Sequence, residues 1–327
     1  MRFIVIGAGA VGGTIGGRLA ESGHDVVLVA RGEHAAAMRT DGLRLQTPDG
    51  DVVVRPAVTK TGGVALREDD VLILATKTQH TAQVIAEVSA AAPIALMLPI
   101  LCAQNGVENE RIAARVANRV YGVYVVLPAT HLEPGVVQSE GAPFSGILDI
   151  GRYPTGVDDD ARQYAEALSH SRFRSRPVER VMSWKYAKLL QNLDNSLDAL
   201  TPPDDPDRGE LADRLREEGE ACFRAAGIEA VPPEQQALRR GDDVQIRPVG
   251  TGQRSGSSSW QSLARSAGSI ESDYLNGEIA LLGRRHGVAT PVNVVLQRLA
   301  GEAARDRRRP GSMRAADIIA AISARQP

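Results

Sequence analysis

The chain has 327 residues, a formal net charge of −2, two cysteines and 32 glycines. That length accommodates about two domains. The 43% apolar and 24% charged fractions exclude global disorder, and the near-neutral balance gives no general footing for nucleic acid. Cys102 and Cys222 form no CxxC pair, so no disulfide framework is implied, and a reducing, cytoplasmic setting is expected. The longest apolar run, from Pro93 to Ala103, is interrupted by proline and falls short of the roughly 20 residues a membrane-spanning helix needs. Phe3-Ile4-Val5-Ile6 is too short for a signal-peptide core and reads as a strand.

In chain order, Arg2–Ile6 predicts a first strand, Val11–Ser22 a helix and His24–Ala30 a second strand. Val71–Ala75 predicts a third strand, Ala82–Ala91 a helix and Ile94–Leu98 a fourth strand. Short apolar strands alternating with helices imply a parallel sheet covered on both faces. Tyr121–Leu127 and Gly146–Gly151 read as further strands in an antiparallel extension. After about Val178 helical patterns dominate: Trp184–Leu200, Glu210–Ala226, Ile270–His286 and Val292–Ala304. The Pro- and Asp-rich Thr201–Gly209 reads as a loop, and Pro232-Pro233 and Arg247 to Ser259 as irregular segments. The expected fold class is α/β, a doubly wound parallel sheet over residues 1–178 followed by an all-helical domain over 179–327.

Gly7-Ala8-Gly9-Ala10-Val11-Gly12 fits G-x-G-x-x-G between the first strand and the first helix. Gly7 permits the tight turn, Gly9 lets a pyrophosphate approach the backbone, and Gly12 lets helix and strand pack closely. Unpaired N–H groups and the helix dipole favour the phosphates of a dinucleotide. Gly13, Gly16 and Gly17 keep the helix slim on its packing side. The second strand ends at Arg31 rather than at an acidic residue, and Asp25 sits at its other end. A guanidinium there suits a 2′-phosphate, which points to NADP(H) and disfavours FAD; the bland reading of Arg31 is a solvent-facing side chain.

Three segments carry candidates for chemistry. Lys77 follows a buried strand, where side chains face the ligand crevice; it either touches the cofactor or a substrate carboxylate, or is simply solvated. Asn105, in Gln104-Asn105-Gly106, is either a turn residue or a polar contact on the nicotinamide side. On the helix from Trp184 to Ser196, Lys188, Asn192 and Asn195 share one face at i, i+4, i+7, an unusual stripe because helix interiors disfavour Asn; the bland reading is a polar surface stripe. The six histidines show no metal-ligand spacing, so no metal is assigned.

Together these residues resemble the ketopantoate reductase (2-dehydropantoate 2-reductase) family. The resemblance continues through Ser257-Ser258-Ser259-Trp260-Gln261, then Glu271-Ser272-Asp273-Tyr274-Leu275-Asn276-Gly277, then His286-Gly287-Val288-Ala289-Thr290-Pro291-Val292-Asn293, and it spans residues 1 to about 300. It implies a Rossmann-type first domain, NADPH as cofactor and reduction of a 2-oxo acid, ketopantoate to pantoate first, as in pantothenate biosynthesis. By the same resemblance Lys188 is the general acid, Glu271 orients substrate and Lys188, and Asn192 contacts the substrate oxygens. Asn195 and either Ser258 or Ser259 complete the substrate contacts. The turn from Gly7 to Gly12 with Arg31, Lys77 and Asn105 contacts the cofactor. Substrate is expected between the domains, with closure excluding water.

Lys185, on the same helix, is the rival proton donor; only Lys188 gives Lys-x-x-x-Asn. The chain also lacks the Asn-Pro that many relatives carry after the first Asn, and Trp260 stands where a smaller residue is common. These departures leave the reaction class intact and open the substrate to another bulky 2-oxo acid or a related imine. An NADP(H)-binding sensor is the non-enzyme alternative. A homodimer is compatible with the long C-terminal helices.

Overall fold

The structure, a computed structural model, describes residues 1–249 and 256–324. The chain divides into two compact units, Met1–Lys185 together with the segment that starts at Pro232, and Tyr186–Val231 together with the described residues from 256 on. The Gly/Ser-rich stretch from Arg247 to Ser259 falls partly on residues 250–255, outside the described residues.

In the first unit eight strands form one sheet. Their order is Phe173–Arg174, Gly146–Arg152, Val120–Val126, Ile100–Cys102, Asp70–Leu74, Arg2–Ile6, Asp25–Val29 and Ala57–Thr59. The strands from Val120–Val126 to Ala57–Thr59 run parallel, and Gly146–Arg152 joins as the antiparallel extension. The chain builds outward from the first strand to Ala57–Thr59, then crosses to Asp70–Leu74 on the other side. The switch point of this doubly wound sheet therefore lies between Arg2–Ile6 and Asp70–Leu74, where ligands bind at carboxyl ends. Phe3 and Val5 enter one apolar cluster with Leu28 and Ile73, while Ile4 and Ile6 enter another with Val27 and Leu72. Burial on both faces explains why these strands read as unbroken apolar runs.

A second sheet, Gly50–Val54, Leu43–Thr47, Val136–Ser139 and Ala129–Thr130 in that order, was not expected. The helix Ala10–Glu21 serves both sheets. A Cβ at Gly16 would collide with Leu28 and crowd Val5 of the main sheet, and one at Gly13 would lie 2.7 Å from Val137 of the second.

The fourth strand is displaced from its expected place. Pro93–Leu96 is a 3-10 turn and the strand is Ile100–Cys102. Turn bonds from Ala95 and Met97 hold the first segment, and proline at 93 and 99 confines the ladder to the residues after Pro99. Pro232-Pro233 does not mark an irregular segment: Pro233 opens the helix Pro233–Arg240, a position proline favours. The chain then adds Val244–Ile246, antiparallel to Gly141–Pro143, and the Arg239 guanidinium binds buried Asp149 at 2.6 and 2.7 Å. These contacts tie residues from 232 on to the first unit, which a single cut at 178 does not contain.

The second unit is helical: Asp194–Leu200, Arg208–Ala226, Ser258–Ala264, Asn276–His286, Pro291–Arg305 and Ala315–Ser323. The helix Val181–Asn192 contains the dividing point. The expected Trp184–Leu200 helix breaks at Leu193, whose carbonyl accepts from Asn276 Nδ2 at 3.1 Å. The expected Ile270–His286 helix is a 3-10 turn, Glu271–Tyr274, followed by Asn276–His286. Asn276 also accepts from Ser196 Oγ at 2.6 Å and donates to Asn293 Oδ1 at 3.1 Å. Asn293 donates to Glu218 at 2.8 Å, and the Glu218 carboxylate receives the N–H groups of Val292 and Asn293. Asn276 and Asn293, the asparagines of the two C-terminal motifs, are therefore a buried polar hub among helices. Among the described residues no helix is long and apolar enough to cross a membrane.

Candidate active site

The phosphate turn sits at the switch point of the main sheet. Gly7 has φ +99°, and a Cβ there would lie 2.8 Å from Thr76 N; a Cβ at Gly12 would run into the Gly7 carbonyl. Gly9 differs: nothing lies within 4 Å of where its Cβ would be. Gly7 and Gly12 thus answer to packing, while Gly9 faces the space a ligand would fill. Gly9 caps the helix Ala10–Glu21 with no side-chain capping bond, which leaves Ala10 and Val11 at a helix start suited to an anion. These residues fit a dinucleotide pyrophosphate.

His34, on the helix Gly32–Asp41, supports this turn. Its Nε2 is 2.7 Å from the Ala8 carbonyl, and its Nδ1 accepts from Gly135 N at 2.8 Å. A carbonyl can only accept and an N–H only donate, so the proton resides on Nε2. The His131 ring lies against it, with centroids 4.1 Å apart. Arg31 is exposed at the N-cap of the same helix. Lys77 precedes the 3-10 turn Thr78–His80. Burial pushes the His80 imidazole down, and the positive charges of Arg31 and Lys77 push it further, so three basic side chains share this rim.

The loop after Ile100–Cys102 is fixed by a polar net. Gln104 Nε2 donates to Thr76 O and Thr81 Oγ1, both at 2.8 Å. Asn109 Nδ2 donates to Asn105 O at 3.0 Å and Thr78 Oγ1 at 3.2 Å, and its Oδ1 accepts from Thr81 at 2.8 Å. Gly106 takes φ +78° to complete the turn. Lys77 and Asn105 thus stand on adjacent segments that are bonded to one another.

The two lysines of the helix Val181–Asn192 part company. Lys185 is 3% exposed; its ammonium lies 2.6 Å from Glu110 and 2.8 Å from the Gln104 carbonyl. Lys188 is half-buried, with Nζ 3.3 Å from Gln191 Oε1. One turn on, Asn192 is 5% exposed and its Nδ2 has no hydrogen-bond partner among the described residues. Asn195 is half-buried, and its carbonyl accepts from Ser257 Oγ at 3.3 Å. Ser257 caps the helix Ser258–Ala264, which packs on Asp194–Leu200. Ser258 is exposed; Ser259 is buried, and its Oγ has no partner among the described residues. Glu271, half-buried, opens its 3-10 turn. Within the second unit, then, Lys188 and Asn192 share a helix, and Asn195 lies beside the serine segment. Among the described residues no group of three or more His, Cys, Asp or Glu could hold a metal ion.

The sequence alone assigns no role to His34, Asn109, Glu110 or Ser257, although Asn109 and Ser257 stand in the candidate segments. Asn109 and Glu110 carried one signal, their place just past the carboxyl end of a parallel strand. His34 carried none.

Two family models match the chain, ketopantoate reductase PanE/ApbA over residues 3–155 and its C-terminal counterpart over residues 181–304. A 2-dehydropantoate 2-reductase from Halobacterium salinarum is 30% identical over 94% of this chain and 100% of its own length. One from Pyrococcus horikoshii is 31% identical over a shorter alignment, 59% of this chain and 61% of the relative, less than two thirds of its length. The crystal structure of a PanE/ApbA family ketopantoate reductase from Ralstonia eutropha superposes with a TM-score of 0.79 at 28% identity, covering 94% of this chain and 99% of that one.

Proposed function

The chain belongs to the ketopantoate reductase family and is an oxidoreductase of that kind, and on this premise we propose that it reduces a 2-oxo acid with NADPH, 2-dehydropantoate foremost, with Lys188 as proton donor. The observation that carries the reading is the Lys188–Asn192 face: a half-buried ammonium and, one turn away, a buried amide donor with no acceptor among the described residues. A buried donor left unpaired is costly, and an anionic oxo acid brings the oxygens that would satisfy it.

In this reading the turn of Gly7, Ala8, Gly9, Ala10, Val11 and Gly12 holds the pyrophosphate, Arg31 pairs with the 2′-phosphate, and Lys77 and Asn105 contact the nicotinamide half. A bound nicotinamide supplies the hydride. Negative charge then gathers on the carbonyl oxygen, where Lys188 Nζ stabilises it and delivers a proton. Asn192 Nδ2 and Ser259 Oγ, two buried donors with no partner among the described residues, take substrate oxygens; Ser258 and Asn195 flank them, and Glu271 orients the Lys188 ammonium. Trp260, half-buried in the serine helix, favours a second substrate reading, another bulky 2-oxo acid or the imine formed from one.

The test is NADPH oxidation against ketopantoate, ketoisovalerate and bulkier 2-oxo acids, beside Lys188→Ala and Arg31→Ala. The parent turns over at least one acid. Lys188→Ala loses about a hundredfold or more in kcat with cofactor affinity kept. Arg31→Ala weakens NADPH about tenfold and leaves NADH nearly unchanged. A parent that reduces no 2-oxo acid ends the reading; a Lys188→Ala enzyme at parental rate removes the proton-donor role, and a preference for NADH removes that of Arg31.

A further inference from the structure

The buried ammonium of Lys185 has work that proton donation does not explain. It contacts the carbonyls of Gln104 at 2.8 Å and of Cys102 and Val123 at 3.4 Å, as well as Glu110 Oε1 at 2.6 Å. A lysine ammonium has three donors and no acceptor, so these groups occupy it fully, and it cannot reach a substrate oxygen without abandoning them. The Glu110 side chain is completely buried; burial pushes its carboxyl up and Lys185 opposes that rise. Room for the pair comes from Gly122 on the strand Val120–Val126. A Cβ there would lie 3.0 Å from Val181 Cγ1, 3.4 Å from Glu110 Oε1 and 3.5 Å from Lys185 Cδ.

The Gln104 carbonyl that Lys185 holds is the peptide oxygen directly before Asn105. The next carbonyl, of Asn105 itself, is held at 3.0 Å by Asn109 Nδ2, and Asn109 is in turn fixed by Thr78 and Thr81. Consecutive peptide carbonyls are therefore each held by a different side chain, and none of these bonds uses the Asn105 side chain.

We propose that Lys185 with Glu110, together with Asn109, form a two-point backbone clamp that aims the Asn105 side chain at the reacting end of the cofactor. These are positioning residues. The proposal rests on the reading above, in which Asn105 stands where cofactor and substrate meet.

Removing one partner of a buried ion pair strands the other charge, whereas replacing both with apolar groups of similar volume is often tolerated. Lys185→Met/Glu110→Met is therefore the informative variant, measured by thermal midpoint, by NADPH titration through nicotinamide fluorescence, and by steady-state kinetics with whichever 2-oxo acid the parent reduces. The expected result is a folded protein that melts close to the parent and binds NADPH within about threefold, because the phosphate turn is intact, while kcat falls about ten- to a hundredfold, the scale of a misplaced reacting geometry. A merely structural pair would return kcat to the parental value once the fold is restored, and that outcome overturns the clamp. Should the double variant fail to fold, Asn109→Ala reads the same clamp at its other point with the ion pair intact: a fall in kcat with NADPH affinity kept supports it, and parental kcat overturns it. A parent that binds NADPH yet reduces no 2-oxo acid overturns the reading beneath it; an active parent with unaffected variants overturns the clamp alone.

Discussion

His34 contributes through the Ala8 carbonyl it holds. The bond fixes one peptide of the phosphate turn from behind, so its loss should be felt as weaker cofactor binding. His34→Ala is expected to raise the dissociation constant of NADPH about three- to tenfold, the effect of one net hydrogen bond. His34→Gln, which returns a donor near the Nε2 position, should recover most of it. A fluorescence titration checks this, and an unchanged constant in the alanine variant discards the role. At this scale the sequence separated residue types but not environments. Lys188 and Asn192 could be found by spacing alone. Lys185 and Lys188 could not be told apart by type, because what distinguishes them is Glu110 and three carbonyls brought in by the sheet. Ser258 and Ser259 differ in the same way, one exposed and one buried.

The glycines of the first helix show how an element combines two demands. Gly16 is held small by Leu28 and Val5 of the sheet beneath it, Gly9 by none of the described residues. Gly16→Ala is thus expected to lose about 1–3 kcal/mol of stability by overpacking while the phosphate turn stays open. Gly9→Ala, at an ordinary φ of −71°, should keep its thermal midpoint and lose NADPH affinity. Thermal melts and cofactor titrations on the two variants should give opposite patterns; a Gly9→Ala protein that binds normally would show that no ligand approaches there. Arg2–Ile6, Asp25–Val29 and Asp70–Leu74 were legible because their apolar residues are buried on both faces, whereas the short edge strands Ala57–Thr59 and Phe173–Arg174 were not read. The second sheet was not, although Leu43-Arg44-Leu45-Gln46 alternates as a half-buried strand should. Its partner Val136–Ser139 lies far along the chain, and nothing local announces the pairing. The breaks at Leu193 and Leu275 escaped for a similar reason: apolar periodicity runs through them, and the Asn276 side chain that captures the Leu193 carbonyl comes from another helix.

Across the whole molecule, the α/β-then-helical plan followed from alternation giving way to long helical patterns, and the structure bears it out. The return of the chain from residue 232 to the first unit left no such trace. Pro232-Pro233 looked like an interruption, yet it opens a helix whose Arg239 meets Asp149 inside the sheet. This has a consequence for the order of synthesis. A ribosome delivers the eight strands of the main sheet, then most of the second unit's first helices, before it delivers Arg239 and Val244–Ile246. Until then Asp149, fully buried in the finished fold, has among the described residues only Arg176 at 3.6 Å for a cation, and among them Gly141–Pro143 has no strand beside it. Domains generally fold as units from the N-terminus during synthesis; here the first cannot finish before the second has begun. A chain ending at Val231 should accordingly be cut by protease far faster than the full chain within residues 140–150, and equal protection of the two would show that the late segment only decorates a unit already complete.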